Sequence, residues 1–159
     1  MRKLEKISFL QFSKDICDDK SLYEEYILPR RATLKSAGYD FYALSDFVIH
    51  PGEILKIPTG VKVLMNDDEA FMLYVRSSMG FKWNVRMTNQ VGVIDCDYYN
   101  NLDNEGHMWF SLQNHGDKDY VVKKGQAFGQ GVFIKFLITD DDEVTDIRVS
   151  GIDSTTKEG

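Results

Sequence analysis

A chain of 159 residues suits one compact domain with a true core and leaves little room for a second. With 43% hydrophobic and 28% charged residues it can bury enough apolar surface to offset the entropy of ordering, which excludes a disordered or fibrous protein. A formal net charge of -6 at pH 7 argues against non-specific attraction to DNA or RNA, so a polyanionic ligand must be met by local positive charge or a metal. No nucleic-acid partner is expected.

The charged opening, residues 1–6, leads into an apolar run too short for a signal peptide or membrane span, and no membrane association is expected. In chain order, residues 7–12, 48–57, 60–65, 71–75, 108–113 and 127–136 are short runs rich in β-branched and aromatic residues, the composition of strands. Turn formers separate them at close intervals, among them Pro51-Gly52, Pro58-Thr59-Gly60, Asn66-Asp67-Asp68 and Lys124-Gly125. That spacing predicts an all-β sandwich or barrel. Residues 21–28 and 77–82 compete as helices, but both are brief, so one or two short helices are expected. The acidic residues 140–143 read as a solvated turn. From 144 to 159 the chain is polar and poorly patterned, which predicts a β domain over 1–143 followed by a mobile tail. Cys17 and Cys96 stand far apart, with no neighbouring His or Cys at zinc-ligand spacing, and they fit a reducing cytoplasm.

Four segments carry candidate chemistry. Arg76-Ser77-Ser78 follows an apolar run and offers a guanidinium and two hydroxyls to an oxyanion. Alone, such a tripeptide is more often a helix cap with a surface arginine. Asp95 follows Gly92-Val93-Ile94 and precedes Tyr98, so its carboxylate can serve as a general base or can simply accept turn hydrogen bonds. Asp40, beside Gly38 and Tyr39, is either a third site group or a bend into a strand. In the tail, Arg148 with the Ser154 and Thr155 hydroxyls can close over phosphates.

The order and spacing of these segments resemble the five motifs of the trimeric dUTPase family, across nearly the whole chain. Ala37-Gly38-Tyr39-Asp40 is similar to the first motif, Arg76-Ser77-Ser78 to the second, and 89–101 to the third, which is the most specific. Residues 125–133, including Gln130, resemble the fourth, and 148–156 a degraded fifth.

The resemblance implies a jelly-roll-like β-sandwich or distorted barrel, a homotrimer with shared active sites, and hydrolysis of dUTP to dUMP and pyrophosphate. It casts Asp95 as the water-activating base and Asp40 as a support for the water shell of Mg²⁺, the metal being held by the triphosphate and waters with no direct protein ligand. Uracil is received by Asn89, Gly92, Val93 and Ile94, with Tyr98 against the deoxyribose. Arg76, Ser77, Ser78 and Gln130 hold phosphate oxygens, while Arg148, Ser154 and Thr155 belong to the closing tail. This chain departs from the family pattern at Ile152 in place of a stacking phenylalanine, at Asp153 and Thr156 in place of glycines, at Ala127 in place of arginine, and at Asn100 in place of glycine. Two other readings share the fold: a nucleotide-binding or regulatory protein with weak catalysis, and a dCTP deaminase-like enzyme.

Overall fold

The computed structural model describes residues 1–149. Twelve strands and three short α-helices run in the order β1 (Lys3–Lys6), α1 (Phe9–Asp15), α2 (Lys20–Glu25), β2 (Arg30–Arg31), β3 (Tyr39–Tyr42), β4 (Phe47–Ile49), β5 (Ile54–Pro58) and β6 (Val61–Leu64). Then follow β7 (Glu69–Tyr74), α3 (Ser77–Trp83), β8 (Val85–Met87), β9 (Gly92–Asp95), a single 3-10 turn (Cys96–Tyr98), β10 (Trp109–Asn114), β11 (Tyr120–Val122) and β12 (Ala127–Lys135). The expected all-β class holds, and the strands do not close into a barrel among the described residues.

The strands pair antiparallel in four sheets: β2-β3-β12-β7-β9, β5-β10-β8, β1-β6 and β4-β11. β10 shows why these sequences form strands: Phe110, Leu112 and Asn114 face inward and alternate with half-buried neighbours, the period of a pleat with one wet face. The five-stranded and three-stranded sheets bury one core between them. Phe41 of β3 and Phe128 of β12 meet the Phe110 ring of β10 at centroid distances of 5.2 and 5.3 Å. Each such buried ring contributes about 1.5–3 kcal/mol. On β12, Gly129 and Gly131 face this core because a side chain there would meet the Phe110 and Phe71 rings.

Three expectations are corrected. Residues 7–12 are not a strand: Ser8 caps a helix, its Oγ accepting from the Gln11 N–H at 3.1 Å, and Phe9, Phe12 and Ile16 fall on one helical face. A second apolar cluster forms there from Ile7, Phe12, Tyr26 and Leu44. Residues 48–57 are two strands rather than one, divided at Pro51-Gly52, where Gly52 takes a positive φ of 85°. With α1 added, the α-helices among the described residues number three instead of one or two.

Candidate active site

Two grooves gather the chemistry-bearing residues. The first lies along β9, one of the two edge strands of the five-stranded sheet. β9 pairs with β7 alone, Leu73 opposite Gly92 and Ala70 opposite Asp95, so its other edge keeps backbone donors and acceptors open among the described residues. An open strand edge can hydrogen-bond the polar rim of a flat ring without using side chains. A cavity of about 280 Å³ opens beside it, walled by Asn89, Gly92, Val93, Ile94, Asp95 and Tyr98.

Three further wall residues went unforeseen, Leu73, Met108 and Trp109, and outside the cavity wall Asp97 shares the Arg148 guanidinium with Asp95. These three read in sequence as ordinary strand residues, and Asp97 lies within the third motif, 89–101. Buried Tyr98 is anchored at its hydroxyl, which accepts from the Asn104 amide at 2.7 Å and donates to the His107 carbonyl at 3.4 Å. Burial pushes its pKa up against the opposing pull of the Asn104 hydrogen bond and the Arg148 charge, so it stays a neutral phenol. Burial, assisted by Asp97 and Asp67, also raises the Cys96 thiol, which makes it a poor nucleophile.

Arg148 belongs to this groove too. Its guanidinium lies 2.7 Å from Asp95 and 2.6 Å from Asp97, 5.7 Å from the Tyr98 ring centre, and its side chain is only 10% exposed. Both carboxylates are about half exposed, so solvent screens the pairs and they add little to stability. Their weight is positional: Arg148 covers the carboxylate that the sequence marks as a base.

The second groove, of about 570 Å³, is lined by Gly38, Asp40, Arg76, Ser77, Ser78 and Gln130. β12 places Gln130 opposite Asp40 on one side and Tyr74 on the other. Its amide donates to the Val75 carbonyl at 3.1 Å and lies directly over Gly38, where a Cβ would come within 2.1 Å of its Oε1. With no Cβ, Gly38 leaves that space to the amide. Arg76 precedes α3 and pairs with Asp40 at 3.3 Å. Ser77 and Ser78 open the helix with exposed hydroxyls. A guanidinium, hydroxyls and an amide converging here suit a chain of phosphate oxygens.

The structure therefore brings Asp95 together with Asn89, Tyr98 and Arg148, and Asp40 with Arg76, Ser77, Ser78 and Gln130, in two grooves that share no residue. Ser154 and Thr155, with Ile152, Asp153 and Thr156, lie outside the described residues.

Fold and grooves together define an antiparallel β-sandwich suited to a ligand that joins a flat polar ring to a run of oxyanions. A dUTPase family model matches residues 24–156. A deoxyuridine 5'-triphosphate nucleotidohydrolase of Lactococcus lactis is 46% identical over 130 residues, 80% of this chain and 87% of its own. One from Actinobacillus succinogenes is 36% identical over 147 residues, 87% of this chain and 93% of its own. Among solved structures, a dUTPase from Streptococcus mutans superposes with a TM-score of 0.69 at 39% identity, covering 86% of this chain and 98% of that one. A phage phi11 dUTPase of S. aureus, described for its coordination of a structural Mg(II) ion, shares the fold at a TM-score of 0.67 and 18% identity, covering 91% and 96%. The chain belongs to the dUTPase family.

Proposed function

We propose that this chain is a dUTP diphosphatase that hydrolyses dUTP to dUMP and pyrophosphate in active sites shared between the subunits of a homotrimer. The family, and relatives carrying that activity in their names, support the reaction. One observation carries the shared site. Asp95 stands opposite Ala70 at one end of β7, while Gln130 stands opposite Tyr74 at the other. At about 3.4 Å per residue those positions are roughly 14 Å apart, and Arg76 lies two residues beyond. A base must come within about 3 Å of its water, and phosphate donors within similar reach of the same phosphate. That separation supports a site in which the Asp95 groove of one copy meets the Arg76 groove of another.

In this reading the open edge of β9 takes the imide rim of uracil, with Asn89 at the start of the hairpin. Cytosine would leave a donor facing a donor there, a mismatch that such a site rejects. Tyr98, fixed at its hydroxyl, lies against the deoxyribose and leaves no space for a 2′-hydroxyl. Asp95 takes the proton of a water in line with the α-phosphorus, and pyrophosphate departs towards Arg76, Ser77, Ser78 and Gln130. Arg148 exchanges Asp95 and Asp97 for phosphate oxygens as the triphosphate enters. The closing segment, 144–159, contributes Ser154 and Thr155 from outside the described residues, and residues 1–143 form the catalytic domain.

A divalent cation carried on the triphosphate fits the donor set. Asp40 is the carboxylate of the phosphate groove, and its pairing with Arg76 suits it to accept hydrogen bonds from a metal's waters rather than to ligate. Bound there, Mg²⁺ would neutralise charge on the phosphates. Cys17 and Cys96 are both free, in keeping with a reducing cytoplasm as the compartment. Among the described residues no helix is long and apolar enough to cross a membrane.

Pyrophosphate release measured across dUTP, dCTP, dTTP and UTP tests the proposal. Release from dUTP far above the rest is expected; ammonia release from dCTP would replace it with the deaminase reading, and binding without turnover with the regulatory one.

A further inference from the structure

We infer that the N-terminal segment acts as a clamp that positions Tyr98, and that Asp15 is a positioning residue for sugar selection. The inference rests on the reading of Tyr98 as the wall against the deoxyribose.

Residues 1–23 precede the stretch matched by the family model, yet they are firmly built. Ile7 and Phe12 are fully buried against Tyr26 and Leu44. From that platform three side-chain contacts reach one loop, 99–107, which directly follows Tyr98. Glu5 accepts from the Tyr99 hydroxyl. The Ser8 N–H and Oγ donate to the Glu105 carboxylate at 2.6 and 2.7 Å. Asp15 accepts from His107 Nδ1 at 2.6 Å. The tautomer follows from the other nitrogen: Nε2 accepts the Gly60 N–H at 2.9 Å, so Nδ1 carries the proton.

The loop passes this restraint on to the site. His107 presents its carbonyl, and Asn104 its amide, to the Tyr98 hydroxyl. The Asn101 amide donates to the Tyr98 carbonyl at 2.8 Å. The His107 ring also lies 5.1 Å from that of Trp109, another wall of the base cavity. Asn100, Glu105 and Gly106 all take positive φ, and a Cβ at Gly106 would come within 2.8 Å of the Tyr98 carbonyl oxygen. Such a loop has few ways to relax without moving Tyr98. Loosening the clamp therefore lets the ring retreat, and a ribose 2′-hydroxyl gains the space.

Steady-state kinetics of the full chain with dUTP and UTP test this. Asp15→Ala is expected to lower the preference for dUTP over UTP by about tenfold, chiefly through a lower KM for UTP. Its kcat stays within about twofold. Asp15→Asn, which still accepts from Nδ1, restores the preference. Tyr99→Phe removes only the hydroxyl held by Glu5, so it keeps the fold and gives the same change in smaller measure. An unchanged preference in Asp15→Ala and Tyr99→Phe, while Tyr98→Ala abolishes it, overturns the clamp and leaves the site reading standing. Equal loss with both nucleotides, accompanied by a lower Tm, shows a merely structural role and also overturns it. If Tyr98→Ala itself leaves the preference intact, the site reading fails and the clamp fails with it.

Discussion

Gly38→Ala separates the site from the scaffold. The added Cβ would lie 2.1 Å from Gln130 Oε1, well short of the 3.4 Å of ordinary contact. The atom in the way is the tip of a flexible side chain, so the amide swings aside and gives up its hydrogen bond to Val75. That bond is worth about 0.5–1.5 kcal/mol net. At about 2–4 °C per kcal/mol for a domain this size, Tm should fall by about 1–6 °C. A lost hydrogen bond to a charged phosphate is worth about 1.5–3 kcal/mol, so kcat/KM should fall by about 10- to 10²-fold. Gly131→Ala adds the same methyl in β12 but meets the Phe71 ring at 2.1 Å. Phe71 has no exposure and is hemmed in by Phe133 and Phe41, so this collision strains the core by about 1–3 kcal/mol or more. Its cost should appear in Tm and spare the rate per folded molecule. Thermal melts at fixed protein concentration, beside pyrophosphate release, read both effects. Unchanged kinetics in folded Gly38→Ala would refute the placing of Gln130 in the phosphate groove.

Three further outcomes are expected. Burial lowers the His107 pKa despite its hydrogen bond to Asp15 and the nearby Asp15 and Glu105 charges, so the unfolded chain takes up the proton first as pH falls. Its contribution is complete above about pH 6.5 and lost as pH drops below that value. His50, raised by its hydrogen bond to Asp119, works in the opposite direction; the difference between wild type and His107→Gln in denaturant melts isolates the buried ring. Arg148→Ala should barely change Tm, since its partners are half exposed, yet lower kcat/KM by about 10- to 10²-fold through the lost phosphate contact; unchanged kinetics would remove Arg148 from the site. Light scattering should give three chain masses, and a fully active monomer would contradict the shared site.

Much of this was legible in the sequence because strand period and turn chemistry are local. β10 and β12 lie where runs rich in β-branched and aromatic residues put them, and Gly52 stands at a turn that the sequence marked, although the run 48–57 was read as one strand. α1 was not legible. Aromatic and apolar residues at 7–12 satisfy a strand as well as a helix, and the decision rests on the Ser8 cap and on burial against Tyr26 and Leu44. The motif residues were singled out by their order and spacing along the chain rather than by any local pattern: Asp95 ends β9, whereas Asp40 and Gln130 lie inside β3 and β12. Their division between two grooves was not legible, since it depends on the register of β7 with β9 and β12. Pairs such as Asp15 with His107, 92 residues apart, leave no trace in periodicity.

In the proposed mechanism Asp95 activates the water that attacks the α-phosphorus. Asp95→Asn keeps the shape and removes the base, so the decisive measurement is turnover beside binding on the same folded protein. Pyrophosphate release should fall by about 10²- to 10⁴-fold or more, while calorimetry with a non-hydrolysable dUTP analogue shows binding retained. Near-normal turnover by Asp95→Asn would contradict the mechanism, and a lower Tm with an unchanged rate would reduce Asp95 to a turn residue.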